Sequence, residues 1–349
     1  MKSTFYTLLL VTGFLMSCGK EQKTMSTPQE NTTTLDRTIT EHNNEEGVKI
    51  IPITTAKGTF NVWTKRVGNN PKMKVLLLHG GPGSTHEAFE CFNDFLPNAD
   101  IEFILYDQLE SYHSDQPNEP SLWTTGHFVE EVEQVRKALN LDQDNFYLLG
   151  QSWGGILAME YALKYQDHLK GLIISNMMAS IPEYENYVKG TLAHQLPKAV
   201  YNEIMAIEAE GDYENPRYNE LLMTHYYTKH VLRMPLEDWP EPVTRSFNHM
   251  NPKIYIHMQG YSEFGITDNA SLKGWDVSHR LKEITVPTLM IGGQYDTMDP
   301  NYMQWMSTQV KDGQSLTTQG SHLSQYDDPK NYFPGLINFI KAVNNKTQK

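Results

Sequence analysis

The segment GQSWG at residues 150–154 constrains this chain most, because of the patterns on either side of it. Residues 146–149 form a short apolar run typical of a buried strand, and residues 156–165 have the spacing of a helix. A serine at so sharp a turn is held on strained backbone, and the flanking glycines let the strand and the helix pass close together. The sequence therefore predicts an exposed nucleophile, Ser152, at the carboxyl end of a sheet.

The remainder of the folded region alternates strand-like and helix-like segments. Residues 48–54 and 59–65 alternate around Gly58 and predict an antiparallel hairpin. Further short apolar runs lie at residues 75–78, 101–106, 172–175, 288–291 and 316–318, with helical patterns at 129–139 and 332–343. Strands that alternate with helices indicate an α/β fold with a mostly parallel sheet covered on both faces.

A base and an acid follow Ser152 at the ends of later predicted strands. A serine hydroxyl is a poor nucleophile until a positioned histidine removes its proton and a carboxylate orients that histidine. Asp296 follows the run at 288–291, and His322 follows the last predicted strand. The order Ser, Asp, His is that of the α/β-hydrolase fold. We expect these three residues to be the catalytic triad, with Asp299 as a lower-ranked alternative acid.

The loop after the strand at 75–78 reads HGGPG and is expected to help stabilise an oxyanion. Glycine lets backbone N–H groups turn toward a ligand and approach it closely. We expect one donor from the backbone of Trp153 and a second from Gly81, with Gly80 as the next choice.

Charge and motif content argue against several other classes of protein. The chain has 42 Asp and Glu against 29 Lys and Arg, a balance that repels nucleic acid, so nucleic acid is not expected as a partner. Neither a nucleotide-binding motif nor a metal-ligand spacing is present. We therefore expect no cofactor and no metal.

The N-terminus has the features of an export signal and a lipid anchor. The apolar run at 5–16 is shorter than the roughly 20 residues of a membrane-spanning helix. Residues 15–18, Leu-Met-Ser-Cys, resemble a bacterial lipobox, which predicts a signal peptide at 1–17 and lipidation of Cys18. Residues 18–46 are polar and are expected to form a disordered tether. Gly19 favours the outer membrane facing the periplasm; the alternative is an ordinary secretory signal.

The motifs together resemble those of the proline iminopeptidase family of α/β hydrolases, whose members release N-terminal amino acids from short peptides. The resemblance is carried by HGGPG, by Tyr-Asp-Gln at 106–108, by GQSWGG and by the late Gly-Ser-His. Residues 165–173, 213–218, 237–240 and 262–267 resemble the branch of the tricorn-interacting aminopeptidase and bacterial amino-acid amidases. The resemblance covers about residues 47–345 and implies an aminopeptidase acting on short peptides or amino-acid amides.

Residues 177–273 interrupt the strand–helix alternation and are expected to form a helical cap on a core of residues 47–176 and 274–349. An aminopeptidase recognises a free ammonium, for which buried carboxylates are suited. In the family, cap glutamates do this; Glu263 matches such a position, and Glu237 or Glu241 is the candidate partner.

One loop departs from the family pattern. Residues 109–114 read LESYHS, with Glu110 and Tyr112 where relatives often carry glycine, so the loop is expected to take another course.

Two other functional classes stay open. They are a carboxylesterase or lactonase that uses the same triad without ammonium recognition, and a noncatalytic binding lipoprotein.

Overall fold

The structure of the protein, a computed structural model, describes residues 45–346. The predicted signal peptide, the predicted lipidation site at Cys18 and all but the end of the predicted tether lie outside the described residues. Within the described range, no helix is both long enough and apolar enough to cross a bilayer.

Eight strands form one sheet in the order β1-β2-β4-β3-β5-β6-β7-β8. The strands are β1 Val48–Thr55, β2 Gly58–Val67, β3 Lys74–Leu78, β4 Glu102–Asp107, β5 Phe146–Gln151, β6 Gly171–Ser175, β7 Thr288–Gly293 and β8 Gly313–Thr318. The β1–β2 and β2–β4 pairs are antiparallel, and every other neighbouring pair is parallel. The predicted α/β fold with a mostly parallel sheet is confirmed.

The two ends of the sheet differ slightly from the prediction. In the hairpin, Thr55 pairs with Gly58, so the turn lies at residues 56–57 and Gly58 begins β2. Strand β8 starts at Gly313, three residues before the predicted run, because Gly313, Gln314 and Ser315 pair in register with β7. These residues lie on an edge strand that is largely exposed, and an edge strand carries little of the apolar pattern that marks a buried one.

Helices cover both faces of the sheet. In β3, Leu76 and Leu78 pack into one apolar cluster, and Val75 and Leu77 pack into the other. This alternation is the period of a strand whose two faces are both buried. Among the helices, α1 is Thr125–Ala138, α2 Trp153–Tyr165, α3 Ile181–Tyr187, α4 Lys198–Glu210, α5 Pro216–Leu222, α6 Thr228–His230, α7 Glu241–His249, α8 Pro252–Met258, α9 Pro300–Gln309, α10 Ser324–Asp327 and α11 Pro329–Lys346.

Helices α3 to α8 form the helical segment that lies between β6 and β7. A bridge between Ser180 and Asp276 brings the two ends of this segment together. The segment also contacts the loop that carries His322. The His322 N–H donates to the carbonyl of His230 (3.0 Å), and the Leu323 N–H donates to that of Val231 (2.9 Å). The interrupting segment is therefore joined through its backbone to the loop that follows β8.

Candidate active site

Ser152 lies at the turn between β5 and α2 in a conformation that side chains rarely adopt, with φ 56° and ψ −126°. Two glycines allow this turn. A Cβ on Gly150 would lie 1.9 Å from the carbonyl oxygen of Gly154, and a Cβ on Gly154 would lie 2.1 Å from that of Leu78. Because only glycine fits where strand and helix pass so closely, the sequence dictates the sharp turn that presents Ser152.

Asp296 and His322 are in contact at the same edge of the sheet. Asp296 follows β7, His322 follows β8, and the His322 Nδ1 atom lies 2.8 Å from Asp296 Oδ1. Since Nδ1–H donates to a carboxylate, the other ring nitrogen, Nε2, is left to accept a proton. Asp299, the alternative acid, instead caps α9 by accepting from the Asn301 N–H at 2.9 Å.

The Asp296 carboxylate is fully buried and has several hydrogen-bond donors. Besides His322, its Oδ1 accepts from the Met298 N–H at 3.1 Å and from the Thr297 hydroxyl at 3.3 Å. Its Oδ2 accepts from the Asn176 side-chain amide at 2.6 Å and from the Gly293 N–H at 3.4 Å. A buried carboxylate is stable only when it is paired and hydrogen-bonded in this way.

Ser152 and His322 line one cavity, of about 140 Å³. Within residues 45–346 no hydrogen bond joins the Ser152 hydroxyl to the His322 ring, an arrangement common before substrate binds. Most of the walls are apolar side chains from the core and from the segment between β6 and β7. They include Ala88, Phe89, Ile156, Met177, Ile181, Val243, Phe247, Met250, Ile266 and Leu272.

The HGGPG loop lies directly against Ser152. A Cβ on Gly80 would approach the Ser152 Oγ atom to 3.5 Å. His79 fixes the orientation of the next peptide group, because its Nδ1 lies 2.9 Å from the Gly80 carbonyl oxygen and its Nε2 accepts from the Gln108 N–H at 3.1 Å. Burial lowers the pKa of His79, which favours this neutral ring. In the trans peptide that joins Gly80 to Gly81, the Gly81 N–H points opposite to the Gly80 carbonyl. Holding that carbonyl therefore also fixes the direction of the Gly81 N–H. Gly80, Gly81 and Trp153 all line the cavity.

Glu263 lines the same cavity as Ser152. Its Oε1 accepts from the Tyr227 hydroxyl at 2.7 Å and from the Tyr255 hydroxyl at 3.2 Å. Burial raises the pKa of Glu263, while the two tyrosine hydroxyls and the nearby His322 oppose that shift. The structure thus places one carboxylate in the cavity with the nucleophile and the histidine. Tyr227 and Tyr255 were not predicted, because the only sequence signal for them is a cap rich in tyrosine.

Glu237 and Glu241, the predicted partners of Glu263, do not line this cavity. Glu237 is exposed and borders a separate surface groove, and Glu241 is exposed and pairs with Arg245 at 2.6 Å. The prediction for both was wrong, because each lies in the first turn of a helical segment at the surface. A different carboxylate, Glu208, interacts electrostatically with Glu263 and accepts from the Tyr218 hydroxyl at 2.7 Å.

Residues 109–114, the loop whose sequence departs from the family pattern, do not line the cavity. Glu110 and Tyr112 both have positive φ, 72° and 26°, the region that glycine adopts most easily. The Glu110 carboxylate points inward and accepts from the Trp123 indole N–H at 3.0 Å. This hydrogen bond gives the buried side chain a partner in a conformation that otherwise favours glycine.

Among residues 45–346, no three His, Cys, Asp or Glu side chains are grouped so that they could hold a metal ion. The polar side chains that line the cavity, such as Ser152, His322 and Glu263, are instead those of nucleophilic and acid–base chemistry.

Comparison with known proteins agrees with this geometry. Residues 74–329 match the family described as alpha/beta hydrolase fold. The chain is 55% identical to a proline iminopeptidase of Elizabethkingia meningoseptica and 56% identical to one of Flavobacterium johnsoniae. Each alignment covers 85% of this chain and 99% of the relative.

Two solved structures are also similar to this chain. The crystal structure of a Mycobacterium smegmatis proline iminopeptidase superposes with a TM-score of 0.76 at 26% identity, covering 86% of this chain and 99% of that one. The crystal structure of VinJ superposes with a TM-score of 0.77 at 27% identity, covering 84% and 99%. This chain belongs to the proline iminopeptidase family of α/β hydrolases.

Proposed function

We propose that this protein is a serine aminopeptidase that releases the N-terminal amino acid from short peptides or amino-acid amides. The observation that carries the proposal is the position of Glu263, whose carboxylate lines one cavity with Ser152 and His322. An N-terminal ammonium donates strong charge-assisted hydrogen bonds to a carboxylate in a partly desolvated site. The apolar walls of the cavity suit an apolar first side chain, such as that of proline.

The mechanism follows from the hydrogen bonds of the site. Asp296 holds His322 in the tautomer whose Nε2 can take the proton of Ser152, so that the Ser152 oxygen attacks the scissile carbonyl carbon. The N–H groups of Trp153 and Gly81 stabilise the oxyanion. As the intermediate collapses, His322 gives the proton to the leaving amine, and an acyl-enzyme remains. Water, deprotonated by His322, then attacks the acyl carbon; the bond to the Ser152 oxygen breaks, His322 returns the proton to that oxygen, and the amino acid leaves.

The Glu263→Gln variant tests ammonium recognition. Glutamine keeps the size of the side chain but loses the negative charge, so kcat/KM for an aminoacyl anilide is expected to fall by roughly 10- to 100-fold. Hydrolysis of an uncharged acyl ester is expected to change by less than about threefold.

Burial raises the pKa of Glu263. As the pH falls, KM for aminoacyl anilides is therefore expected to start rising at a higher pH than it would with an exposed carboxylate. The Glu263→Gln variant should lose this pH dependence.

Comparison of free and N-acetylated substrates is the matched control. The wild-type protein is expected to prefer the free amine, and Glu263→Gln should remove most of that preference. Equal losses of kcat/KM for the anilide and the ester would show that Glu263 does not bind the ammonium. A wild-type protein that hydrolyses esters or lactones but not aminoacyl amides would instead be a carboxylesterase or lactonase.

We also propose that the enzyme is held at the bacterial outer membrane, facing the periplasm, by a lipid on Cys18. The apolar run at 5–16 and the lipobox-like residues 15–18 support this proposal. In this arrangement the membrane is contacted through the anchor, and residues 18–46 separate the anchor from the enzyme.

A further inference from the structure

Asn176, the residue directly after β6, contacts the acid of the proposed triad. Its side-chain Nδ2 donates to Asp296 Oδ2 at 2.6 Å and to the Ser321 carbonyl oxygen at 3.2 Å. Ser321 immediately precedes His322 in the chain. One buried amide group therefore links the loop of the acid to the loop of the base.

The orientation of the Asn176 amide is fixed by its neighbours. The Ser175 hydroxyl donates to Asn176 Oδ1 at 2.6 Å, so the NH₂ end of the amide faces Asp296. The Ser175 hydroxyl also lies 3.1 Å from the Tyr332 hydroxyl in the core. Asn176 itself is fully buried. The amide is therefore held in one orientation with its donors aimed at the carboxylate.

The backbone conformation at this position favours glycine or asparagine over other residues. Asn176 has φ 56°, in the left-handed region that glycine adopts with less strain. Its N–H donates to the Ile291 carbonyl oxygen at 2.7 Å, a bond that any residue except proline could make. The positive φ is therefore compatible with asparagine, but only the side-chain amide, which glycine lacks, makes the contact with Asp296.

We propose that Asn176 is a positioning residue of the catalytic triad, which holds Asp296 Oδ2 so that Oδ1 stays directed at His322. This inference rests on the proposed function, because it assumes that Ser152, His322 and Asp296 carry the reaction. Asn176 does not line the cavity that holds Ser152 and His322. It acts through Asp296, by fixing the carboxylate that fixes the ring.

The Asn176→Gly variant separates the side chain from the backbone, since glycine accepts φ 56° and lacks only the amide. We expect kcat for an aminoacyl anilide to fall roughly 10- to 100-fold with KM within about twofold of wild type, because a hydrogen bond to a charged group is lost. Labelling of Ser152 by a fluorophosphonate should slow by a similar factor. The low-field proton resonance of the His322–Asp296 hydrogen bond should shift or broaden.

Two further variants keep the test decisive. Asn140 also has positive φ, 54°, but is exposed, so Asn140→Gly controls for the backbone change and should leave kcat and the resonance unchanged. Asn176→Asp keeps the size of the side chain and replaces the donor with a second carboxylate. Asn176→Asp should lower kcat at least as much as Asn176→Gly does. It provides the test of the side chain if the glycine variant folds poorly.

Asp296→Asn distinguishes failure of this inference from failure of the proposed function. If Asp296→Asn abolishes turnover while a folded Asn176→Gly keeps wild-type kcat and the wild-type resonance, the role of Asn176 is refuted and the triad stands. A lower melting temperature of Asn176→Gly with unchanged kcat would likewise show a purely structural role. If Asp296→Asn keeps full turnover, the triad itself is wrong.

Discussion

Ser152 combines a strained backbone with the chemistry proposed for its side chain. A residue other than glycine with φ 56° and ψ −126° carries conformational strain of order 1–3 kcal/mol. The surrounding contacts maintain it: the Ser152 N–H donates to the Ser175 carbonyl oxygen at 3.1 Å, and the two flanking glycines admit the close turn. The strain is thus located where a hydroxyl has to project from the sheet.

Replacing Ser152 tests both of its properties. Ser152→Ala should lower turnover of aminoacyl anilides by at least about a thousandfold while the far-UV circular dichroism stays unchanged, because the nucleophile alone is removed. Ser152→Gly should be equally inactive but should unfold with a free energy about 1 kcal/mol higher than Ser152→Ala, since glycine relieves the strain. An active alanine variant would refute the assignment of the nucleophile.

At the residue scale, the sequence predicted some of these positions and missed others for a physical reason. Ser152, Asp296 and His322 stand next to strand ends, and parallel strands bring their carboxyl ends to one edge, so strand prediction was enough to place them together. Helices do not converge in this way. The sequence therefore suggested Glu237 or Glu241 as the partner of Glu263, and only the packing of the helices shows which carboxylate faces the cavity.

At the scale of elements, a cluster of charges joins cap helix α7 to the core. Arg245 on α7 pairs with Glu87 at 2.5 Å and with Glu90 at 2.7 Å, and His249 contacts Glu87 at 2.9 Å. Glu87 is fully buried, so its carboxylate is stabilised by these partners and not by solvent. Beside this contact, Phe89 of the core and Val243 and Phe247 of α7 line the cavity.

The Arg245→Met variant tests this contact. It keeps much of the side-chain volume but leaves the buried Glu87 without its arginine, and should lower the free energy of unfolding by about 1–3 kcal/mol in a denaturant titration. KM for aminoacyl anilides should rise, because a wall of the cavity loosens. Arg217 is the matched control: it pairs with Glu203 at 2.8 Å on the surface, so Arg217→Met should cost about 0–1 kcal/mol. Equal losses in the two variants would contradict the role of burial.

Strands of the sheet interior were more predictable than its edge. Interior strands such as β5 are buried on both faces and read as continuous apolar runs, whereas the first three residues of β8 are polar or glycine and pair only through their backbone with β7. The cap was predicted as helical, but the order and packing of its short helices depend on contacts far apart in the chain. Local pattern carries no information on such contacts.

At the scale of the whole molecule, the proposed anchor can be tested with the two cysteines of the chain. Wild-type protein expressed in a bacterium that processes lipoproteins should sediment with membranes and incorporate a clickable fatty acid. Cys18→Ser should appear in the soluble fraction without label, with the same kcat, since residues 18–46 separate the proposed anchor from the enzyme. Cys91→Ser changes the other cysteine, a free and partly buried thiol, and should stay with membranes. Membrane-bound, labelled Cys18→Ser would refute the anchor.

The backbone hydrogen bonds from His322 and Leu323 to residues 230 and 231 have a consequence for engineering specificity. A chimera that exchanged the whole segment between β6 and β7 for that of a relative would also replace the support of the loop bearing the histidine. Changes in turnover would then be confounded with changes in substrate choice. Grafts that keep residues 228–234 native and vary the rest of the segment would separate the two.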